Sequence, residues 1–198
     1  MGTPPLSSST PEPGSAGAAA GRSRGALATL VVLAVLSFVV FGGYVVADAL
    51  SRPAGPPVTV GGVLRISPLS GWELARHLND PPGVRLTRGS GNLDVVTMPF
   101  VGSASGLAHE YVHGILGPQA DRLSVGGVET VRLGSGRIGV RFSYVGLFGK
   151  GQAAIEGQVT AVVGSSGVGA VFDGWAPQGV LQYVLDDIDA MIDAAGFR

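Results

Sequence analysis

One pattern in the chain combines residue types and a spacing that are typical of zinc chemistry. His109-Glu110-Tyr111-Val112-His113 fits H-E-x-x-H. On a helix, the two histidines of this motif bind zinc and the glutamate activates the metal-bound water as general base. The chain has only three histidines, and two of them stand in the motif. The pattern predicts a zinc metallopeptidase in which His109 and His113 are metal ligands and Glu110 is catalytic.

A catalytic zinc also needs a third protein ligand and an open position for water. The extended form of the motif would place Gly at 116 and His at 119, where this chain has Leu116 and Gln119. Glu129 and Glu156 lie in stretches patterned like strands, and His77 precedes a proline-rich turn. The sequence therefore identifies no third ligand, although the histidine pair alone predicts adventitious binding of zinc or nickel.

The helix that carries the motif is predicted to begin at a Ser105 cap and to run to about Leu116. At 100° per residue its apolar side chains occupy one side, and the two histidines and the glutamate occupy the other. A single helix packed on a sheet turns its polar side to solvent. We therefore expect a non-catalytic domain with no catalytic residue, metal or cofactor, and keep the zinc peptidase as the alternative.

Two further patterns could belong to a ligand site. Residues 134–139 have the G-x-G-x-x-G spelling, but a strand pattern follows them. A dinucleotide site needs a helix there, so we predict a hairpin turn. Trp72 and Trp175 stand at strand ends and are predicted to be core or rim residues, with contact to a ligand as the alternative.

Composition narrows the classes of function. The chain has 198 residues with 13 Lys+Arg and 14 Asp+Glu, a net charge of −1, so it lacks the basic excess of nucleic-acid-binding proteins. It has no cysteine, which excludes disulfides, thiol catalysis and cysteine-ligated metals. Its 33 glycines favour hairpins over long helices.

The N-terminal quarter predicts a membrane anchor. Residues 1–25 are rich in Pro, Ser, Gly and Ala and predict a disordered cytoplasmic tail. Residues 26–47 are uncharged and long enough to span a bilayer as one helix. Arg22 and Arg24 precede this stretch, so the positive-inside rule places the N-terminus in the cytoplasm and the C-terminal part outside the plasma membrane.

Two alternatives accompany this anchor. Ala47-Asp48-Ala49 has the form of a signal-peptide cleavage site, although the apolar stretch exceeds the usual length of a signal sequence. Gly43 and Ala47 form a small-xxx-small pair that would support a homodimer through the membrane helix. Without a cysteine the chain has no lipobox, so the contact with the bilayer is assigned to residues 26–47.

Residues 48–57 read as a Pro/Gly linker, and residues 58–198 as one extracytoplasmic α+β domain. A closing amphipathic helix over 180–195 presents an acidic side, which we expect to be solvated, with a weak cation or partner site as the alternative. Eight stretches are patterned as antiparallel strands: Val58–Ile66 with a break at Gly61-Gly62, Leu74–Leu78, Val84–Thr87, Leu93–Phe100, Leu123–Leu133, Ile138–Leu147, Ile155–Val163 and Gly167–Trp175.

The order of these elements, with Gly71-Trp72-Glu73 early and VFDGWAPQG before the last helix, resembles the PsbP/DcrB-like extracytoplasmic domains. That group includes single-pass envelope proteins of actinobacteria. The resemblance implies an antiparallel sheet covered by two or more helices and a non-catalytic, accessory role in the cell envelope. It implies binding of a partner protein or a small ligand, and it supplies no catalytic residues.

Overall fold

The computed structural model describes residues 55–149 and 153–197. The predicted tail (1–25), the predicted membrane span (26–47) and residues 48–54 of the predicted linker lie outside the described residues. Among those that are described, no helix is both long and apolar enough to cross a membrane.

An eight-stranded antiparallel sheet forms the centre of the described domain. Its strands are β3 (Glu73–Asn79), β4 (Pro82–Arg88), β5 (Gly91–Pro99), β6 (Ala120–Val125), β7 (Glu129–Arg132), β8 (Ile138–Phe148), β9 (Ala153–Val163) and β10 (Val168–Pro177). Their order in the sheet is β3-β4-β5-β10-β9-β8-β6, with β7 paired to the same edge of β8 as β6. Short glycine-containing turns join most neighbours, as antiparallel pairing allows.

One stretch that is predicted as an unbroken strand is divided in the structure. The stretch predicted as a single strand, Leu123–Leu133, is two strands, because the ladder with β8 breaks at Gly126-Gly127. Gly126 still donates its N–H to the Ser143 carbonyl oxygen, at 2.8 Å, and pairing resumes at Glu129. Glycine interrupts strands in this way because it adds no side chain to the ladder.

A small second sheet closes one side of the domain. It has the order β1 (Val58–Val60), β2 (Leu64–Ile66), β11 (Gly196–Phe197). Gly61 and Gly62 have φ of 55° and 76°, the left-handed conformation that a tight hairpin requires at both central positions. The break predicted from this glycine pair is confirmed.

The first helix, α1 (Ala104–Tyr111), continues as a π-helical segment (Val112–Leu116) and a last helical turn (Gly117–Gln119). Its cap is Ser103, not the predicted Ser105. Ser103 is extended and its Oγ accepts the Gly106 N–H at 3.1 Å, which satisfies one free donor of the first turn.

The closing helix is also divided. A 3-10 turn (Leu181–Tyr183) precedes α2 (Leu185–Asp193), and the break falls at Val184, where φ and ψ are −124° and −3°. The predicted apolar arc is nevertheless buried, with Ile188, Met191 and Ile192 fully inside. The pattern thus predicted the packing of this segment but not its interruption.

The sheet has a hydrophobic core on each side. On the side called here the α2 face, α2 and the small sheet cover strand residues such as Leu86 and Phe172; on the α1 face, α1 covers residues such as Val171. A Cβ at Gly174 would lie 2.9 Å from Ile188, and one at Gly169 would lie 2.6 Å from Leu107. These glycines of β10 therefore let the helices approach closely from opposite sides. The predicted α+β domain, an antiparallel sheet covered by helices, is confirmed.

Candidate functional site

The H-E-x-x-H residues lie on the outside of the α1 face. His109, Glu110 and His113 are exposed, and the centroids of the two imidazole rings are 4.1 Å apart. Tyr111, within the same motif, points the opposite way and is 3% exposed. The predicted outward orientation of the motif is confirmed. In residues 55–149 and 153–197, no group of three or more His, Cys, Asp or Glu side chains could hold a metal ion.

The other residues weighed as zinc ligands have separate positions. His77 and Glu129 are exposed on β3 and β7. Glu156 Oε1 accepts the backbone N–H groups of Gly179 and Leu181, each at 2.9 Å. It therefore fastens the 3-10 turn to β9. The G-x-G-x-x-G stretch is the predicted turn, between β7 and β8, with Gly136 at φ 78°.

The two tryptophans occupy opposite faces of the sheet. Trp72 is buried in the core of the α2 face, and its Nε1 donates to Asp187 Oδ2 at 3.0 Å. Trp175 is half-buried on the α1 face and lines a cavity. The core prediction is confirmed for Trp72, whereas Trp175 stands where a ligand could contact it.

This cavity has a volume of about 690 Å³ and lies between the α1 face of the sheet and the helical segment 111–119. Its volume falls in the range of small-molecule sites. The exposed polar side chains that line its mouth are Arg76, His77, Asn79, Asp80 and Gln119. Its walls are largely apolar and include Leu78, Val96, Ile115, Leu116, Phe148 and Ile155.

Two buried aspartates form the floor of the cavity. Asp94 and Asp173 are 8% and 3% exposed and are direct partners in the pairing of β5 with β10. Arg85, on β4, donates from Nε and Nη2 to the two carboxylate oxygens of Asp94, at 2.5 and 2.6 Å. Its guanidinium lies 4.8 Å from the ring centroid of Trp175, whose Nε1 donates to Asp94 at 3.3 Å.

Among the residues that the structure describes, no cation is hydrogen-bonded to Asp173. Its two carboxylate oxygens accept from the hydroxyls of Tyr111, at 2.8 Å, and Tyr144, at 2.9 Å. The Tyr144 ring lies directly over Gly157 on β9, where a Cβ would come within 2.5 Å of the hydroxyl oxygen. Because Gly157 has no side chain, the Tyr144 ring can occupy the space above it.

Burial shifts the ionisation of these groups. It raises the pKa of Asp173 to about 7, with repulsion by Asp94 as the second cause; the two tyrosine hydroxyls and Arg85 act in the opposite direction. Burial and the nearby carboxylate of Asp173 raise the pKa of Tyr111 and Tyr144. The hydrogen bond to Asp94 raises the pKa of Arg85. The floor therefore exchanges a proton near neutral pH at Asp173.

Of these floor residues, the sequence pattern pointed to Trp175 alone. A usable signal was present, because Asp94 and Asp173 each interrupt a run of strand-forming apolar residues, LDVV and VFDGW. Aspartate is depleted in strands and is seldom fully buried without a partner. What the sequence could not give is the β5–β10 register that makes them neighbours.

Comparisons with known proteins bear on the fold. No family model matches the chain, and a search of curated proteins finds no match either. Cyanobacterial PsbP (CyanoP) from Synechocystis sp. PCC 6803 superposes with a TM-score of 0.52 at 13% identity, over 68% of this chain and 86% of that one. The Ran-binding protein Mog1p of Saccharomyces cerevisiae gives 0.52 at 9% identity, over 73% and 96%. LpqN of Mycobacterium tuberculosis gives 0.48 at 11%, over 73% and 85%. The described domain has a PsbP/Mog1-like fold, which confirms the resemblance at the level of fold.

Proposed function

We propose that this chain is a non-catalytic accessory protein of the cell envelope, held in the plasma membrane by residues 26–47, whose extracytoplasmic domain binds a small ligand in the cavity of the α1 face. One observation carries the binding role, namely a cavity of about 690 Å³ with apolar walls and a polar, buried floor. Convergent polar groups beneath an apolar cleft are typical of ligand sites.

The chemistry of the floor supports binding rather than packing. Two adjacent carboxylates with one guanidinium are an expensive arrangement in a core, because burying charge costs several kcal/mol per ion unless it is fully compensated. Asp173 is fully buried and ionises near neutral pH, and a perturbed carboxyl in a cleft is a common mark of a functional site.

The fold is compatible with a binding role. One of the solved structures that share it is titled a Ran-binding protein. At 9% identity that likeness shows the fold alone, so the ligand of the present chain has to be sought in its own cavity.

Whether the ligand binds in this cavity can be tested with a bulky substitution on β9 that fills it. Ala153 lines the cavity, whereas its neighbour Ala154 points to the other side of β9. We would purify the full chain and its Ala153→Phe and Ala154→Phe variants from membranes and record native mass spectra. We expect a co-purified ligand on the wild type and on Ala154→Phe, and its loss on Ala153→Phe. Equal retention by both variants would place the ligand elsewhere.

Membrane topology has a separate test, since the chain contains no cysteine. Ser8→Cys would mark the predicted cytoplasmic tail and Ser124→Cys the exposed surface of β6. In intact cells a membrane-impermeant maleimide should label Ser124→Cys alone. Labelling of Ser8→Cys alone would invert the proposed orientation, and loss of the N-terminal residues in the mass spectrum would indicate a cleaved signal peptide.

A membrane-tethered zinc metallopeptidase is the second candidate. It is favoured by the exposed His109 and His113 rings, which are 4.1 Å apart on one side of the helix. The two candidates differ in the role of Glu110. In a peptidase, Glu110→Gln removes the general base and abolishes hydrolysis; in a binding domain it leaves the ligand occupancy of the cavity unchanged.

A further inference from the structure

The cavity has a more specific chemistry than a general capacity to bind. We infer that its ligand is an uncharged, mostly apolar molecule that presents an oxygen acceptor, such as an ester or ketone carbonyl, to the guanidinium of Arg85. This rests on the proposed binding function. Two features of the floor carry it, the free donors of Arg85 and the balance of charge around them.

Arg85 has hydrogen-bond donors to spare. A guanidinium has five N–H groups, and the bonds to Asp94 use one on Nε and one on Nη2. Among the described residues, no protein acceptor takes the other three. The side chain lines the cavity and is 21% exposed, so those donors face the space that a ligand would fill. An oxygen acceptor is the group that satisfies them.

Charge decides which kind of acceptor fits. Asp94 already neutralises Arg85, and Asp173 adds a second carboxylate beside it. At the floor, an anion bound to Arg85 would therefore face two carboxylates with one guanidinium. Arg76 and Asp80, which also line the cavity, carry opposite charges and leave this imbalance in place. Like-charge juxtaposition in a desolvated site lowers the affinity, here by an expected factor of about ten.

A cation fits no better. Its natural partner would be Asp173, but both carboxylate oxygens of that residue already accept tyrosine hydroxyls. A cation would also stand beside the guanidinium of Arg85. An uncharged acceptor meets neither form of repulsion.

The remainder of the cavity favours an apolar body on this ligand. Above the floor the walls are mainly aliphatic or aromatic side chains from β3, β5, β8, β9 and the helical segment 111–119. Burial of apolar ligand surface against such walls supplies most of the binding free energy, while the few polar contacts fix orientation.

The two tryptophans provide a built-in probe and control. Trp175 lines the cavity and Trp72 lies in the opposite core, and these are the chain's two tryptophans. The full chain, labelled with fluorotryptophan and placed in lipid nanodiscs, would be titrated above neutral pH, where Asp173 is ionised. The probes are methyl phenylbutanoate, phenylbutanoate and phenylbutylamine. These probes share one body and end in an uncharged ester, a carboxylate and an ammonium group.

We expect the ester to move the Trp175 fluorine resonance saturably, to leave that of Trp72 unchanged, and to bind about ten times more tightly than either charged probe. The shift should be lost in Ala153→Phe, which blocks the cavity, and kept in Ala154→Phe. In Asp173→Asn the floor has one carboxylate fewer, so the affinity of the carboxylate probe should rise toward that of the ester. An unchanged Trp72 resonance reports that each variant is folded.

Tighter binding of the carboxylate or the ammonium probe to the wild type would overturn the inferred ligand class and leave the proposed binding function standing. Failure of every probe to move Trp175 would also overturn the inference. In that case the proposed binding function is tested separately, by comparing the co-purified ligand in native mass spectra of Ala153→Phe and Ala154→Phe.

Discussion

Replacement of Asp173 by asparagine tests the ionisation of the cavity floor directly. Asn keeps the shape of the side chain and can satisfy both tyrosines, because its carbonyl oxygen accepts one hydroxyl and its amide donates to the other. It mimics the protonated, uncharged carboxyl. The variant should therefore retain the contacts of Asp173 with Tyr111 and Tyr144 and lose only its charge.

The expected effect on stability follows from the pKa of Asp173, which rises from an ordinary value of 3.8 to about 7 in the folded chain. Between these values the folded state holds a proton that the unfolded chain has released, so the free energy of unfolding falls as the pH rises. The contribution is fully present below the unfolded pKa and is lost once the pH passes the folded one. Because each pKa unit is worth about 1.4 kcal/mol, the loss over this range is about 4 kcal/mol.

Urea unfolding of the full chain, followed by tryptophan fluorescence between about pH 4 and pH 8, measures this dependence. The wild type should become less stable over that range. Asp173→Asn should remove most of the decline and exceed the wild type in stability above neutral pH. The pKa of Asp189 is also raised by burial, and this smaller dependence should remain in both proteins. An identical decline in variant and wild type would refute the assignment of the buried proton to Asp173.

Three further outcomes are expected. Gly157→Ala should lower the unfolding free energy by about 1–3 kcal/mol, because the new methyl group displaces the Tyr144 ring; urea midpoints equal to the wild type would contradict this contact. Gly174→Ala should cost a similar amount because α2 lies against that glycine, while Gly127→Ala, which has open space, should change little in the same measurement. His109→Ala should weaken retention of the full chain on immobilised nickel with a stability change within about 0.5 kcal/mol, and unchanged retention would show that the histidine pair does not chelate.

The sequence predicted the elements in which apolar residues recur with a regular period. The alternation in β8 to β10 located these strands to within about two residues, and the apolar arc of residues 180–195 predicted the buried side of α2. Local hydrogen bonding was predicted less well. Ser103 rather than Ser105 caps α1. Either serine could accept the N–H of the first turn, and the residue at which the backbone becomes helical decides which one does. The cavity floor depends on strand register, which no local pattern contains.

The contrast between the two faces is the strongest reason to place the function on the α1 face. On the α2 face each half-buried aspartate of the helix has its own cation: Asp187 pairs with Arg88, and Asp189 pairs with Arg141 at 2.7 Å. The acidic side of α2 is therefore partly tied to the sheet, not wholly solvated as expected.

The α1 face lacks this balance. Arg85 pairs with Asp94, while the hydrogen bonds to Asp173 within the described residues come from two tyrosine hydroxyls. Ionisation of Asp173 lowers stability as the pH rises toward and past neutral. A core needs no such residue, since an apolar side chain of similar size would pack there without charge. Residues that do not suit their structural surroundings, such as a charged side chain in a core, are expected at functional sites. The imbalance therefore favours the cavity, rather than the exposed histidine pair or the acidic helix, as the site of the proposed ligand.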